Sequence, residues 1–164
     1  MSGNPWIAGK LTIVKHTLDQ IEAHARQCYP SESCGFIAGP VSEPGLLTVA
    51  FAETNEADKY HALDPARFPR TSRMYFKINE LRAARAFEGA ERKGEPIKVI
   101  YHSHCDAGAY FSDEDAATFA IDGALMWPCA FLVVSVMAGE IKDRKLWVHK
   151  AGTNEFVESE LRVS

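Results

Sequence analysis

Two histidines separated by a single residue stand where the sequence predicts the end of a strand. His102, Ser103 and His104 follow the apolar run 97–101, and alternate side chains of a strand share one face, so both imidazoles would point the same way. A carboxylate follows at Asp115, in the predicted first turn of the next helix. Two imidazoles and one carboxylate suffice for a catalytic Zn²⁺ that keeps its fourth position open for water. The spacing therefore predicts a metal site, and an open metal site points to hydrolysis.

The helix start also fits a role that needs no metal. Ser112, followed three residues later by Asp115, is a variant of the capping box, in which each residue satisfies a backbone N–H of the other. A pair of histidines taken alone is more often a surface or core feature than a metal site. The order of strand, glycine-containing loop and acidic helix start favours the metal site. The two roles are compatible, because a capping serine can still face the site.

Four residues together resemble a known family. His102, His104, Ser112 and Asp115 fit the pattern H-x-H-x7-S-x-x-D of the JAMM (MPN+) zinc metallopeptidases. The resemblance implies Zn²⁺ as the cofactor, His102, His104 and Asp115 as its ligands, and Ser112 as a hydroxyl that stabilises the oxyanion.

An upstream segment extends the resemblance. Residues 30–39 are similar to the opening P-x-E-x-C-G-(apolar)-(apolar)-x-G of the small stand-alone bacterial members, with Glu32 at its acidic position. In the family, this position implies the general base that activates water and returns the proton to the leaving amine. Asn55 is a further similar feature, and the resemblance covers about residues 10–150. It implies a single MPN/JAB-like (cytidine-deaminase-like) α/β domain.

Two positions depart from the family pattern. The small bacterial members commonly carry Pro directly after the second histidine and directly before the serine, where this chain has Cys105 and Phe111. Both lie in the loop, so they affect the expected loop shape and substrate preference more than metal binding. Cys105 could compete as a soft zinc ligand, although strand geometry would aim it away from both histidines.

The remaining pattern predicts one α/β domain over residues 1–164, with a core at about 10–150 and a mixed β-sheet flanked by about three helices. The predicted helices are 16–28, with Thr17 and Gln20 as a capping box, 77–92 and 113–122. The predicted strands are 11–14, 36–38, 46–52, 97–104, 129–137, 143–149 and a weak one at 156–163. An Ala138-Gly139 turn is expected before the strand at 143–149, and residues 55–73 are predicted to form a long loop.

Composition is typical of a globular chain. Of 164 residues, 46% are hydrophobic and 24% charged, and no apolar stretch approaches the length of a membrane span. The first residues show neither a basic start nor an apolar signal core, and none of the four cysteines forms a CxxC pair. These features predict a cytoplasmic protein with no membrane partner.

The charge gives no footprint for nucleic acid. The net charge is −4, whereas a nucleic-acid-binding domain is expected to carry a basic stripe. Local basic clusters are interpreted as solvated faces. These clusters are Arg67, Arg70 and Arg73, and Arg82, Arg85, Arg92 and Lys93.

The resemblance implies hydrolysis of the amide bond after the C-terminal Gly-Gly of a ubiquitin-like or sulfur carrier protein. That carrier is the expected partner, and its activating enzyme is a second candidate. The segments 55–73 and 105–111 are expected to contact the substrate. Aromatic candidates for that surface are Tyr60, His61, Tyr110 and Phe111. Two alternatives stay open: a non-catalytic MPN-type scaffold that binds proteins, and a metallohydrolase that acts on a small molecule or on nucleic acid.

Overall fold

The computed structural model describes residues 4–164, in which helices and strands form a mixed α/β domain as predicted. The helices are a short 3-10 turn (Pro5–Ala8), α1 (Lys15–Cys28), α2 (Ala57–Leu63), α3 (Glu80–Arg92) and α4 (Asp113–Phe119). The strands are β1 (Leu11–Ile13), β2 (Cys34–Ala38), β3 (Leu46–Leu47), β4 (Val49–Glu53), β5 (Ile97–Cys105), β6 (Ala120–Ile121), β7 (Ala124–Leu125), β8 (Ala130–Met137), β9 (Glu140–His149), β10 (Phe156–Ser159) and β11 (Leu161–Val163).

A six-stranded sheet in the order β10-β9-β8-β5-β2-β4 carries the core. Its central pair, β5 and β8, is parallel, and the other neighbours are antiparallel. A smaller parallel sheet, β11-β1-β3, joins the two ends of the chain. The predicted strand 97–104 is therefore the buried centre of the main sheet.

The two faces of β5 pack into different apolar clusters. Val99 and Tyr101 belong to the apolar cluster that includes Leu18 and Ile21 of α1. Ile100 points the other way, into the cluster formed with α3 and α4. Because side chains alternate along a strand, His102 and His104 continue the Ile100 face and lie beneath α4.

Gly35 lets β2 fit closely between its neighbours. A Cβ atom at this position would lie 2.3 Å from the carbonyl oxygen of Phe51 and 2.5 Å from the ring of Tyr101. The first of these contacts is with backbone and cannot rotate away. The close approach of β2 to β4 and β5 thus requires glycine.

The start of α1 differs from the prediction. The helix begins at Lys15 after Val14, and Thr17 lies inside it rather than capping it. The buried Thr17 hydroxyl instead donates to the carbonyl oxygen of Thr48, at 2.6 Å. The predicted capping box with Gln20 is wrong, because the hydroxyl pairs with a distant strand connection.

Two predicted strands are each divided between sheets. The segment 46–52 becomes β3, which pairs with β1, and β4, which pairs with β2. The segment 156–163 becomes β10 on the main sheet and β11 on the small one. A continuous apolar pattern does not reveal such a switch of partners. The Ala138-Gly139 turn is confirmed, with both residues at positive φ, and β9 begins earlier than predicted, at Glu140.

The helix count also differs. The predicted loop 55–73 contains α2, so four α-helices rather than about three lie between residues 4 and 164. The predicted helix 113–122 ends at Phe119, because the chain turns into the β6–β7 hairpin. Asp122 and Gly123 form its two-residue turn with φ of 52° and 79°. Asp-Gly is a recognised signal for such a turn.

Within the described range, no helix is long and apolar enough to cross a membrane. The predicted absence of a signal segment concerns in part residues 1–3, which lie outside that range.

We expect Gly35→Ala to lower the free energy of unfolding by about 1–3 kcal/mol, because the new methyl group must displace the β4 backbone. Gly89→Ala is the matched control: Gly89 lies in α3 with nothing within 4 Å of its would-be Cβ. That change should stabilise the protein by roughly 0.5–1 kcal/mol. Urea denaturation of the two variants measures both effects, and equal stabilities would contradict the close-packing argument.

Candidate metal and catalytic site

Three predicted site residues converge on one point. The Nε2 atoms of His102 and His104 are 3.2 Å apart, and Asp115 Oδ2 lies 3.0 Å from the first and 3.2 Å from the second. All three residues are at most 7% exposed. Within residues 4–164, they form a group whose ligand atoms could share one metal ion.

The size of this triangle can be compared with what zinc requires. In tetrahedral coordination with Zn–N and Zn–O bonds of about 2.0–2.1 Å, ligand atoms stand roughly 3.3 Å apart. The observed separations of 3.0–3.2 Å are close to that value. The donor set of two imidazoles and one carboxylate is also one that catalytic zinc uses. His102, His104 and Asp115 therefore fit a zinc ion in both spacing and ligand type.

Asp115 has two tasks at the start of α4. Its Oδ2 accepts a hydrogen bond from the Ser112 N–H at 3.1 Å, and the Ser112 hydroxyl oxygen accepts from the Asp115 N–H at 3.0 Å. The same Oδ2 faces both histidines. Although burial opposes ionisation, His102 and His104 hold the pKa of the Asp115 carboxyl well below its usual range. The helix cap and the histidine pair thus share one carboxylate oxygen.

Different contacts hold the two imidazoles in place. His104 Nδ1 lies 2.9 Å from the carbonyl oxygen of Gly108 and donates to it, so the neutral ring carries its proton on Nδ1 and leaves Nε2 in the form that can bind a metal ion. The His102 ring stacks on Phe76 at a centroid distance of 4.4 Å, and its buried Nδ1 has no hydrogen-bond partner in the described chain. Hydrogen bonding fixes one ring, and aromatic packing fixes the other. Although burial opposes protonation, Asp115 raises the pKa of His104.

Glu32 lies immediately before β2, and the strand register determines where it goes. Cys34 pairs with His102 in the antiparallel β2–β5 ladder, so continuing the register places Glu32 opposite His104. Hydrogen bonds between Ser33 and Ser103 confirm that the pairing continues: the Ser33 N–H donates to Ser103 Oγ at 2.7 Å, and the Ser103 N–H donates to the Ser33 carbonyl at 3.1 Å. Ser103, between the two histidines, therefore positions the segment that carries Glu32.

Asn55 holds the Glu32 backbone from the other side. Its amide nitrogen donates to the carbonyl oxygens of Glu32 at 3.0 Å and Tyr75 at 2.9 Å. Its side-chain oxygen accepts from the N–H groups of Ala57 and Lys77. The Asn55 side chain thus joins three segments of the backbone, and local sequence carries no signal for these contacts.

Glu32 is only 6% exposed. Burial raises its pKa to about 8, and the charge of Asp115 acts in the same direction, while His104 and Arg70 oppose the shift. A carboxyl group that ionises near neutral pH is suited to taking up and releasing protons.

A cavity of about 350 Å³ opens over this cluster and reaches the surface. The predicted residues Glu32, His104, Ser112 and Asp115 line it. Five further wall residues lie in the segments 55–73 and 105–111 that were expected to contact the substrate: Arg70, Arg73, Cys105, Ala107 and Tyr110. Sequence analysis did not assign the other three, which are Met74, Asp113 and Glu114. Arg70 and Arg73 belong to a basic cluster that the sequence predicts to be a solvated face, and their spacing carries no signal that would distinguish such a face from a cavity wall.

Cys105 is not part of the ligand cluster. It ends β5 on the Ser103 side of the strand, and the converging ligand atoms of residues 4–164 belong to His102, His104 and Asp115. Burial raises the pKa of its thiol to about 11, which disfavours the thiolate that a metal would need.

The four aromatic candidates separate into two groups. Tyr110 is exposed, lines the cavity, and its ring centroid is 4.9 Å from that of His104. Phe111 packs into the core against Phe156, at a centroid distance of 4.4 Å. Tyr60 and His61 both contact Phe68, by ring packing and by a hydrogen bond to its carbonyl oxygen. Only Tyr110 of these four lines the cavity.

Comparison with known proteins supports one family. A CysO-cysteine peptidase from Mycobacterium tuberculosis is 30% identical over 106 residues, which cover 64% of this chain and 62% of that protein. The chain thus spans about 62% of the length of this curated relative.

Solved structures share the fold. A JAB1/MPN domain protein from Archaeoglobus fulgidus aligns with a TM-score of 0.55 and 15% identity, covering 95% of this chain and 98% of that one. A JAMM structure, described as a metalloprotease-like zinc site in the proteasome and signalosome, aligns with a TM-score of 0.51 and 16% identity, covering 94% and 97%. The expected JAB/MPN fold is confirmed.

The match to a family model covers most of the chain. The model describes prokaryotic homologs of the JAB domain and matches residues 14–150, a range that contains the histidine pair, the capped helix start and Glu32. The chain therefore belongs to the family of prokaryotic homologs of the JAB domain.

Proposed function

We propose that this protein is a zinc-dependent peptidase that hydrolyses the amide bond after the C-terminal Gly-Gly of a ubiquitin-like or sulfur carrier protein. The observation that carries the proposal is the triangle of His102, His104 and Asp115, with Glu32 held opposite His104 beside an open cavity. Neither a helix cap nor a packed core requires two imidazoles and two carboxyl groups to converge in this way.

His102, His104 and Asp115 would hold the zinc ion. When bound, Zn²⁺ supplies a Lewis acid that makes a water molecule acidic enough to act as a nucleophile near neutral pH. These side chains would supply three ligands, the number that a catalytic zinc site uses, and the adjoining cavity would give water and substrate access to them.

Glu32 would take the proton of the attacking water and deliver it to the leaving amine. Its backbone is fixed by Asn55 and by the Ser33–Ser103 hydrogen bonds, which keep the carboxyl group on the cavity wall. In the balanced reaction, water contributes the new C–O bond, the C–N bond breaks, and the released amine leaves with the transferred proton. Proton transfer of this kind contributes about 10²–10⁴-fold to the rate.

Ser112 would donate a hydrogen bond to the oxyanion that forms on the carbonyl oxygen. Its oxygen already accepts the Asp115 N–H, so the hydroxyl hydrogen remains available toward the cavity. The capping bond then fixes the oxygen before the substrate arrives.

The substrate class is supported by the relative whose name states that it is a CysO-cysteine peptidase. An extended tail that ends in glycines suits a narrow approach to a buried site, because glycine has no side chain to exclude. The carrier is the proposed partner, and its activating enzyme is a further one.

We expect His102→Ala, His104→Ala and Asp115→Ala each to weaken zinc binding by more than about 100-fold, since even the loss of an outer-shell partner costs about 10–100-fold. Cys105→Ala is the control and should keep one zinc per chain. Metal content after dialysis against a zinc buffer measures the effect. Full occupancy in any of the three variants would remove that residue from the ligand set.

We expect Glu32→Gln to keep zinc and lose about 10²–10⁴-fold in kcat on a diglycine-tailed ubiquitin-like fusion, because the amide keeps the shape and cannot carry the proton. Glu95→Gln, a change at an exposed site, should behave as wild type. Turnover of Glu32→Gln close to that of wild type would refute its role. Loss of zinc in this variant would instead make Glu32 a ligand.

Ser112 allows its two roles to be separated. Glycine is nearly as good a helix cap as serine, whereas alanine costs about 1 kcal/mol. Ser112→Gly and Ser112→Ala should therefore both lose about 10²–10³-fold in kcat, and only Ser112→Ala should be clearly less stable. Paired kinetic and urea-denaturation measurements check this. A fully active Ser112→Gly would limit the serine to capping.

A further inference from the structure

Two arginines line the cavity of the candidate site, and the proposed reaction assigns no role to either of them. Arg70 and Arg73 line the same cavity as Glu32 and His104. Arg70 is close enough for its charge to oppose the raised pKa of Glu32. Guanidinium groups bind carboxylates through paired, charge-assisted hydrogen bonds.

The backbone segment that carries these arginines is hydrogen-bonded to the backbone of Glu32. Between them lies Ser72, which is only 5% exposed. Its N–H and its hydroxyl each donate to the Asp58 carboxylate at 2.8 Å, and its carbonyl oxygen accepts the Glu32 N–H at 2.7 Å. The arginine-bearing segment therefore holds a fixed position relative to the predicted base, and α2 contributes to the site by carrying Asp58.

Of the two cavity arginines, one is ion-paired with a carboxylate of residues 4–164 and the other is not. Arg70 pairs with Glu114 at 3.2 Å, and Asp115 faces the two histidines. Arg73 is exposed and pairs with no carboxylate in residues 4–164. A cation on the cavity wall, with no ion-pair partner among residues 4–164, is available for an anionic group of the substrate.

We propose that Arg73 determines the specificity of this site by binding the α-carboxylate of a single amino acid attached to the terminal glycine of the carrier. This inference rests on the proposed function and narrows its substrate. In such a substrate, the carboxylate lies within one residue of the scissile nitrogen, a span of at most about 3.6 Å. An isopeptide bond to a lysine of another protein has no carboxylate at that distance.

Hydrolysis of such a substrate releases the attached amino acid. Water adds to the glycine carbonyl carbon, the C–N bond breaks, and the amino acid leaves with its nitrogen protonated through Glu32. Its carboxylate is unchanged throughout, so Arg73 acts on binding and orientation rather than on proton transfer.

The test compares two synthetic peptides that end in Gly-Gly-Ala, one with a free C-terminal carboxylate and one with a carboxamide. Their binding to the zinc-loaded full chain with Glu32→Gln is measured by calorimetry, without turnover. The same measurement is made after adding Arg73→Gln, and after adding Arg92→Gln, an exposed change at the end of α3, as the matched control.

We expect the carboxylate peptide to bind about 10- to 100-fold more tightly than the carboxamide, as a charge-assisted pair predicts. Arg73→Gln should remove this preference by weakening only the carboxylate peptide, with zinc content unchanged. Arg92→Gln should keep it. Equal binding of the two peptides, no detectable binding of the carboxylate peptide, or a preference that survives Arg73→Gln would each overturn the inference.

Cleavage by the wild-type protein separates the two proposals. Equal cleavage of carboxylate and carboxamide peptides would leave the peptidase intact and overturn the carboxylate inference. An Arg73-dependent binding preference without cleavage of either peptide, or of the diglycine-tailed fusion, would show that the proposed function fails while the carboxylate site remains.

Discussion

The antiparallel pairing of β2 with β5 connects the two halves of the candidate site. β5 carries the histidine pair, and the register places Glu32 opposite His104 through the hydrogen bonds of Ser33 with Ser103. Gly35 permits the close approach that this pairing needs. A slip of one residue in the register would turn Glu32 to the other face of the sheet, because side chains alternate with period two. The geometry of the candidate site is therefore a property of the sheet rather than of a flexible loop.

Much of this arrangement could be predicted from local sequence. The apolar run before His102 predicted a buried strand, and β5 has nearly the predicted bounds. The spacing of Ser112 and Asp115 predicted a reciprocal cap, which the structure contains. Both patterns depend on contacts between residues close in the chain, where strand alternation and capping geometry are well determined. The convergence of Glu32 with the histidines was indicated by the family resemblance alone, since a turn acid has no local sign of its partner.

The parts that could not be predicted depend on contacts between distant segments. The seven-residue helix α2 is too short to be stable alone and shows no clear apolar period, and its Asp58 is held by Ser72 further along the chain. The sequence predicts Thr17 to be a helix cap, but its hydroxyl donates instead to the carbonyl oxygen of the distant Thr48. The position of Arg73 beside the cavity follows from these distant bonds, so the sequence could not distinguish it from an ordinary surface charge.

The carboxylate of Asp115 gives the site a property that neither role alone would have. One oxygen, Oδ2, completes the first turn of α4 and also faces both imidazoles. If a cation binds through this oxygen, its affinity depends on the turn being formed, and by reciprocity its binding stabilises that turn against local opening by the same free energy. For such a cation, binding at the site and fraying of residues 112–115 would be one coupled equilibrium, and the order of the helix end would depend on whether the ion is bound.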